Sequence, residues 1–221
     1  MFRQLEGVSL GHVIDVGGGR LVDLDVVSAM SFDSWSVVEV SPHRFGTSTD
    51  SRIRRVIADG AHLPVRRAVF DTALSIQVLE HVFDPFRMLA ELVDAVRPGG
   101  RIVVVVPQTA NVHELPHHYQ NFTRYWLEEA ARRLDMDIET YEPLGGSWSS
   151  IASRLVLQYA TVLRIPGHHD PSARRRPMFW LLTPLAAIVT LVTVPLALVL
   201  ATADIEEEPN NHLVILRKPS A

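Results

Sequence analysis

Short apolar runs, each closed by an acid, a glycine or a proline, recur through the first half of the chain. His12-Val13-Ile14-Asp15-Val16 runs into Gly17-Gly18-Gly19, a pattern that predicts a buried strand ending in a tight turn. Ser36–Val40, Arg55–Asp59 and Phe70–Gln77 read as three further strands, the last followed by Val78-Leu79-Glu80-His81-Val82. Asp84-Pro85 then opens a helix: aspartate caps, and proline is tolerated in the first turn. Phe86, Leu89, Ala90, Val93 and Val96 recur at helical spacing and give that helix one buried face. Arg97-Pro98-Gly99-Gly100 stops it, and Ile102–Pro107 is apolar throughout, as a strand covered on both faces should be.

The second half changes character. Thr123 caps a helix expected to run to about Leu134, a strand follows over Asp137–Leu144, and Gly145-Gly146 ends it. Ser150–Leu163 reads as a helix, Gly167–Pro177 is polar and broken and contains Arg174-Arg175-Arg176, and Met178–Ala203 carries no charge. The last segment, Asn211–Pro219, reads as a strand. Strands alternating with helices up to residue 107 predict a parallel, doubly wound sheet.

The glycine turn and the acid at the end of the next strand, Glu39, form a nucleotide-binding corner. Glycines admit the ligand to the backbone, and a carboxylate accepts from ribose hydroxyls. Taken with Asp15-Val16-Gly17-Gly18-Gly19 and Glu39, the later landmarks Ala58-Asp59 with Leu63-Pro64, Val78–Val82 and Arg97–Gly100 make the sequence resemble the class I S-adenosylmethionine (SAM)-dependent methyltransferases over roughly residues 10 to 145. Pro107, His113-Glu114, Phe122-Thr123 and Leu144-Gly145-Gly146 further resemble a subgroup associated with polysaccharide and cell-wall gene clusters. The resemblance implies an α/β, Rossmann-like, seven-stranded sheet whose last strand, 211–217, is antiparallel. It divides the chain into a SAM-binding domain, 1–150 completed by 211–217, and an apolar helical insertion, 151–210.

By that resemblance SAM is the cofactor. Gly17, Gly18 and Gly19 let the backbone approach its methionyl part, and Asp15 helps organise its amino group. Glu39 takes the ribose and Asp59 the adenine amino group. Gly60 and Ala61 supply backbone donors to the ring, and Gln77 and Val78 face the methionyl end. Helix capping is the rival role for Asp59, and His81 is expected to be structural. The family's third glycine is replaced by Leu21, which predicts a displaced or shorter first helix.

Methyl transfer is an in-line displacement, so alignment supplies much of the rate, and an acceptor that carries a proton also needs a base. His113 and His117, in the loop after the fifth strand, are the candidates. His113-Glu114-Leu115-Pro116-His117 matches a zinc-protease string, but Pro116 denies it the helix that string requires, so no metal is expected. In the subgroup an acid and an arginine commonly occupy the places of His118 and Asn121, a departure that bars carrying over a substrate.

Composition narrows the partners. The 221 residues carry a net charge of −4, which disfavours nucleic acid, and no cysteine, which excludes disulfides and thiolate metal sites. The N-terminal residues lack a signal pattern, so a cytoplasmic enzyme is expected. Met178–Ala203 is long enough to span a bilayer, but one crossing would strand 211–217 on the wrong side and two would need about forty apolar residues. Pro184 and Pro195 interrupt a straight helix, so the expectation is a broken helix or helical hairpin dipping into the inner face of the cell membrane. A packed cap or a homodimer interface is the alternative, and a single-pass anchor with the last strand misassigned is the third reading. The leading function is methylation of a small-molecule or glycan acceptor, lipid-linked acceptors included. A non-catalytic membrane-associated scaffold and a nicotinamide-dependent oxidoreductase are the competing classes.

Overall fold

The computed structural model describes residues 7–28, 30–164 and 175–220. The elements in chain order are β1 (His12–Val16), a 3-10 turn (Leu21–Asp23), α1 (Asp25–Ser28), β2 (Ser34–Glu39), β3 (Ile53–Ile57), β4 (Phe70–Ile76), α2 (Pro85–Ala95), β5 (Val96–Pro107), α3 (Arg124–Arg133), β6 (Asp137–Leu144), α4 (Ser147–Val162), α5 (Pro177–Leu200) and β7 (Asn211–Arg217). The seven strands form one sheet in the order β3-β2-β1-β4-β5-β7-β6. β3, β2, β1, β4 and β5 pair in parallel. Gly99 donates to Lys218 and Gln108 to Asn210, so β7 runs antiparallel to β5. The expected mixed, doubly wound sheet is what forms.

Two compact units make up the chain. The first comprises Met1–Val106, Phe122–Glu142 and Leu213–Ala221, the second Pro107–Asn121 and Pro143–His212. The core of the first lies on the sheet, where Ile14, Ala73, Ile102, Val104 and Leu216 meet Met88, Leu89 and Leu92 of α2 and Leu127 and Ala131 of α3, all buried. Asp84 caps α2 by accepting from the Arg87 amide (3.0 Å), and Thr123 caps α3 through Trp126 (3.4 Å). At the other end of α2, Lys218 Nζ donates to the carbonyls of Val93 (2.6 Å) and Val96 (2.8 Å). The replacement of the third glycine by Leu21 has the expected effect: a 3-10 turn and the four-residue α1 stand where a long first helix would begin.

In the second unit, α4 and α5 pack as a hairpin, linked by Tyr159 Oη and Thr190 Oγ1 (3.3 Å). α4 begins after Gly146, which has no side chain to cap with. Asp204 does so from beyond α5, accepting from the amides of Trp148 (2.8 Å) and Ser149 (3.1 Å) and from Ser149 Oγ (2.6 Å). Burial raises the Asp204 carboxyl, but these donors and the Ile205 amide outweigh it and hold it at about 2.

Several boundaries differ from the expected ones. β2 and β3 begin two residues earlier than the apolar runs suggest. β5 begins at Val96 rather than at Ile102, because Val96 pairs with Phe70 and Gly100 accepts from Lys218, drawing the expected helix stop into the sheet. The largest correction concerns Met178–Ala203, which is neither broken nor itself a hairpin. α5 runs unbroken for 24 residues through Pro184 and Pro195. Each proline frees only the carbonyl four residues back, and packing along α4 keeps the rod continuous. The hairpin is made by α4 with α5. The expected polar break lies, through residue 174, outside the described residues.

Candidate functional site

In a parallel sheet the ligand crevice lies beyond the carboxyl ends of the strands, where the strand order reverses. Here the order reverses between β1 and β4. The β1 end leads into Gly17 and Gly19, both in the left-handed region (φ +76° and +51°). Gly17 donates to the Val38 carbonyl (2.8 Å), and its Cα lies against the Val78 side chain, so a Cβ at 17 would collide with it. A Cβ at Gly18 would fall on the Asp15 carboxylate. The turn is therefore built over a buried acid and admits no side chain at either position.

Asp15 is fully buried. Trp35 Nε1 donates to its Oδ2 (3.2 Å), and its Oδ1 has no partner. Burial pushes the carboxyl up to about 7, against the Trp35 hydrogen bond and with the Glu39 charge adding to the rise. Glu39, at the end of β2, is 5 % exposed. Burial raises it too, opposed by the Gly19 amide, the Arg44 charge and the Val40 amide. Residues twenty positions apart in the chain thus meet: a Cβ at Gly19 would sit 3.4 Å from Glu39 Oε1. Gly18, Arg20, Leu21, Leu24 and Ile76 line a shallow cavity of about 280 Å³ beside this turn.

The β3 end is tied to the same corner. Ala58 donates to the Glu39 carbonyl (2.9 Å). Gly60 packs over Val16 and Met88, where a Cβ would lie 2.8 Å from Val16 Cγ1. Asp59 Oδ1 accepts from the Ala61 amide (2.9 Å), and its Oδ2 lies 3.4 Å from His62 Nδ1. The Ala61 amide is thus turned toward Asp59 in this structure, the cap-like role weighed for that acid. At the β4 end, Gln77 holds φ +56° and donates to the Val105 carbonyl (2.8 Å), which turns Val78 over Gly17. The structure therefore brings Asp15, Gly17, Gly18, Gly19, Glu39, Asp59, Gly60, Ala61, Gln77 and Val78 to one end of the sheet.

Sequence reasoning gave no role to Glu80. It sits fully buried in a 3-10 turn after β4, with neither carboxylate oxygen hydrogen-bonded. His81 Nε2 is 3.8 Å from Oε1. Burial lifts the carboxyl to about 7, only partly offset by the pull of its own backbone amide. The signal was present as an acid inside the apolar run Val78–Val82. Trp35, the donor to Asp15, carried no signal, because the contact exists only once β1 and β2 pair.

The loop of the second unit separates the two candidate bases. His113 Nδ1 lies 2.9 Å from the Asn111 carbonyl and 3.0 Å from His118 Nδ1. His118 Nε2 is 3.3 Å from Asn121 Oδ1. Partial burial and then the neighbouring His113 lower the His118 pKa. His117 instead reaches Tyr119 Oη (3.1 Å). Residues 113–117 form no helix, so the zinc-protease arrangement is absent.

Comparison with known proteins places these features in a family context. Residues 10–104 match the model of the methyltransferase domain. The chain is 32 % identical over 115 residues to an uncharacterized methyltransferase of Mycobacterium sp. (strain JLS), a match covering 51 % of this chain and 44 % of that protein. The chain therefore spans less than half the length of that curated relative. Among solved structures it is similar in fold to Haemonchus contortus phosphoethanolamine N-methyltransferase 2 in complex with S-adenosyl-L-methionine (TM-score 0.61, 14 % identity, 99 % of this chain and 51 % of that one). It is also similar to the [4+2]-cyclase SpnF (TM-score 0.62, 17 % identity, 100 % and 79 %). One fold thus carries more than one activity among these neighbours.

Proposed function

We propose that the chain, whose residues 10–104 match the model of the methyltransferase domain, is a class I methyltransferase that binds SAM and transfers its methyl group to a small-molecule or glycan acceptor. The observation that carries this reading is the corner at β1 and β2. A side-chain-free turn at Gly17–Gly19 lies in contact with the Glu39 carboxylate, at the point where the strand order reverses. The residues present fit the cofactor. Glu39 has two oxygens for two ribose hydroxyls. The unpartnered Oδ1 of Asp15 calls for a donor, which a water or an ammonium group at the turn supplies. Asp59 stands ready as the acceptor for the adenine amino group, and its link to Ala61 shapes the loop that faces the ring.

SAM supplies, when bound, a methyl group already activated on a sulfonium. The chemistry then asks this chain mainly for alignment. For an acceptor oxygen or nitrogen that carries a proton, His113 or His117 removes it. The acceptor is a small molecule or glycan, lipid-linked ones included, and the site of action is the cytoplasm at the inner face of the membrane. Neither nicotinamide chemistry nor a non-catalytic scaffold gains a supporting observation.

The test is calorimetric titration of the full chain with SAM, beside Glu39→Gln and Glu39→Ala. Loss of hydrogen bonds to a charged acceptor costs about 1.5–3 kcal/mol, so the variants should bind roughly ten- to a hundredfold more weakly. Absence of saturable binding by the folded wild-type chain would overturn the reading.

A further inference from the structure

Among the described residues, the α4–α5 hairpin carries the one helix long and apolar enough to cross a membrane. Within Pro177–Ala203 an 18-residue stretch has a mean hydropathy of 2.4, and only 6 % of that stretch is buried. Met178, Leu181, Leu185, Ile188, Val192 and Val199 are all at least half exposed. At about 100° per residue, the exposed large apolar positions sweep an arc of roughly 200° around α5. The remaining arc carries Phe179, Thr183, Ala187, Thr190, Val194 and Ala197, all at least partly covered. A second helix takes a stripe only about 100° wide. An exposed arc twice that width exceeds what one copy of this chain would cover with a helix of its own.

The flanks identify what does cover it. The 24 residues of α5 are about 36 Å long, against a hydrocarbon core of about 30 Å. Cations stand at one end. Arg175 donates to the carbonyls of Thr161 (2.6 Å) and Val162 (3.1 Å), closing the hairpin tip, and its guanidinium lies over Phe179 and Trp180 (4.9 and 5.3 Å to the ring centroids). Arg164 and Arg176 are exposed beside it. Arginine with tryptophan at the end of an uncharged helix is the composition of a headgroup boundary. The other end is acidic, with Asp204 holding the start of α4 and Glu206, Glu207 and Glu208 following. That cap brings the two ends of the hairpin together, so the chain enters and leaves by the same side and need not cross.

We propose that the α4–α5 hairpin docks the protein on a lipid bilayer, with the exposed arc of α5 sunk among the acyl chains and the arginines of the tip on anionic headgroups. This inference does not rest on the methyl-transfer reading and is tested without it. The full chain is sedimented with phosphatidylcholine vesicles and with vesicles that also contain phosphatidylglycerol. The comparison proteins are Leu181→Gln/Leu185→Gln/Ile188→Gln, three side chains exposed in this structure, and Arg176→Gln. The wild-type chain should co-sediment, more strongly with phosphatidylglycerol and less so as salt rises. The triple variant should partition at least about a hundredfold more weakly, and Arg176→Gln should lose part of the anionic-lipid preference. Independently of any glutamine variant, brominated lipid should quench the wild-type fluorescence, and Trp180→Phe should remove that quenching. A wild-type chain that stays in the supernatant with both vesicles, unquenched, overturns the proposal. A dimer by light scattering that the triple variant makes monomeric would then assign the arc to a second copy.

Discussion

Two buried carboxyl groups make the stability of the ligand-free protein fall as pH rises. Asp15 and Glu80 are fully buried, and burial lifts each from its ordinary value, 3.8 and 4.5, to about 7. A raised acid keeps its proton longer in the folded state than in the unfolded one. The native form therefore binds more protons between the two values, and stability present at low pH is lost as pH climbs through the folded value. Integrating between about pH 5 and about pH 8, Asp15 and Glu80 each contribute a loss of about 2.5 kcal/mol, or about 5 kcal/mol together. For a chain of this size the loss is roughly 10–20 °C in Tm. Glu39 is raised as well and adds in the same direction. Glu129 and Asp204, held at about 2, are already ionised in both states above pH 5 and do not change across the window. His118, lowered, acts in the opposite direction, its contribution growing as pH rises toward its unfolded value. Melting curves by circular dichroism across this range, without SAM, give the wild-type slope. Asp15→Asn and Glu80→Gln should each remove about half of it. A wild-type stability that is flat or rises from pH 5 to pH 8 would refute the reasoning.

Three further outcomes follow from single contacts. Gly18→Ala places a methyl group on the Asp15 carboxylate, and denaturant titration should register a loss of about 1–3 kcal/mol. Asp23 gathers the amides of Thr47 (2.8 Å) and Ser48 (2.8 Å), so Asp23→Ala should speed hydrogen exchange at those two amides while leaving the β4 amides protected. Lys218→Met removes both donors from the carboxyl end of α2 and should cost about 1–2 kcal/mol by chemical denaturation. Unchanged exchange in Asp23→Ala, or an unchanged midpoint in Gly18→Ala or Lys218→Met, would show that the contact contributes nothing.

How much of this was legible in the sequence depends on the range of the interaction concerned. β1, β4 and the apolar stretch of β5 were legible because each is a run of side chains buried on both faces, a local property of the chain. β3 was placed two residues late because it is an edge strand. Arg54 and Arg55 are exposed there and separate Ile53 from the apolar pair Val56 and Ile57. The corner of Gly17, Gly19 and Glu39 was readable because a tight turn and an acid at a strand end are each local demands. The orphaned carboxylate of Glu80, the Trp35 donor and the pairing of His113 with His118 rather than His117 were not. They depend on burial and loop geometry that arise only after distant segments meet. Pro184 and Pro195 are expected to interrupt α5 and do not, because that expectation leaves out the support that α4 gives along its length.

The strand order has a consequence for how the protein is made. β7 lies between β5 and β6, so the slot it fills stands empty until residues 211–217 leave the ribosome. By then β6, with no neighbour to pair with, and the whole of α5 have already emerged. The Asp204 clasp on α4 arrives only seven residues before that closing strand. For that interval the nascent chain holds an open sheet edge and its most apolar helix in the same water, the combination most prone to wrong pairing between chains.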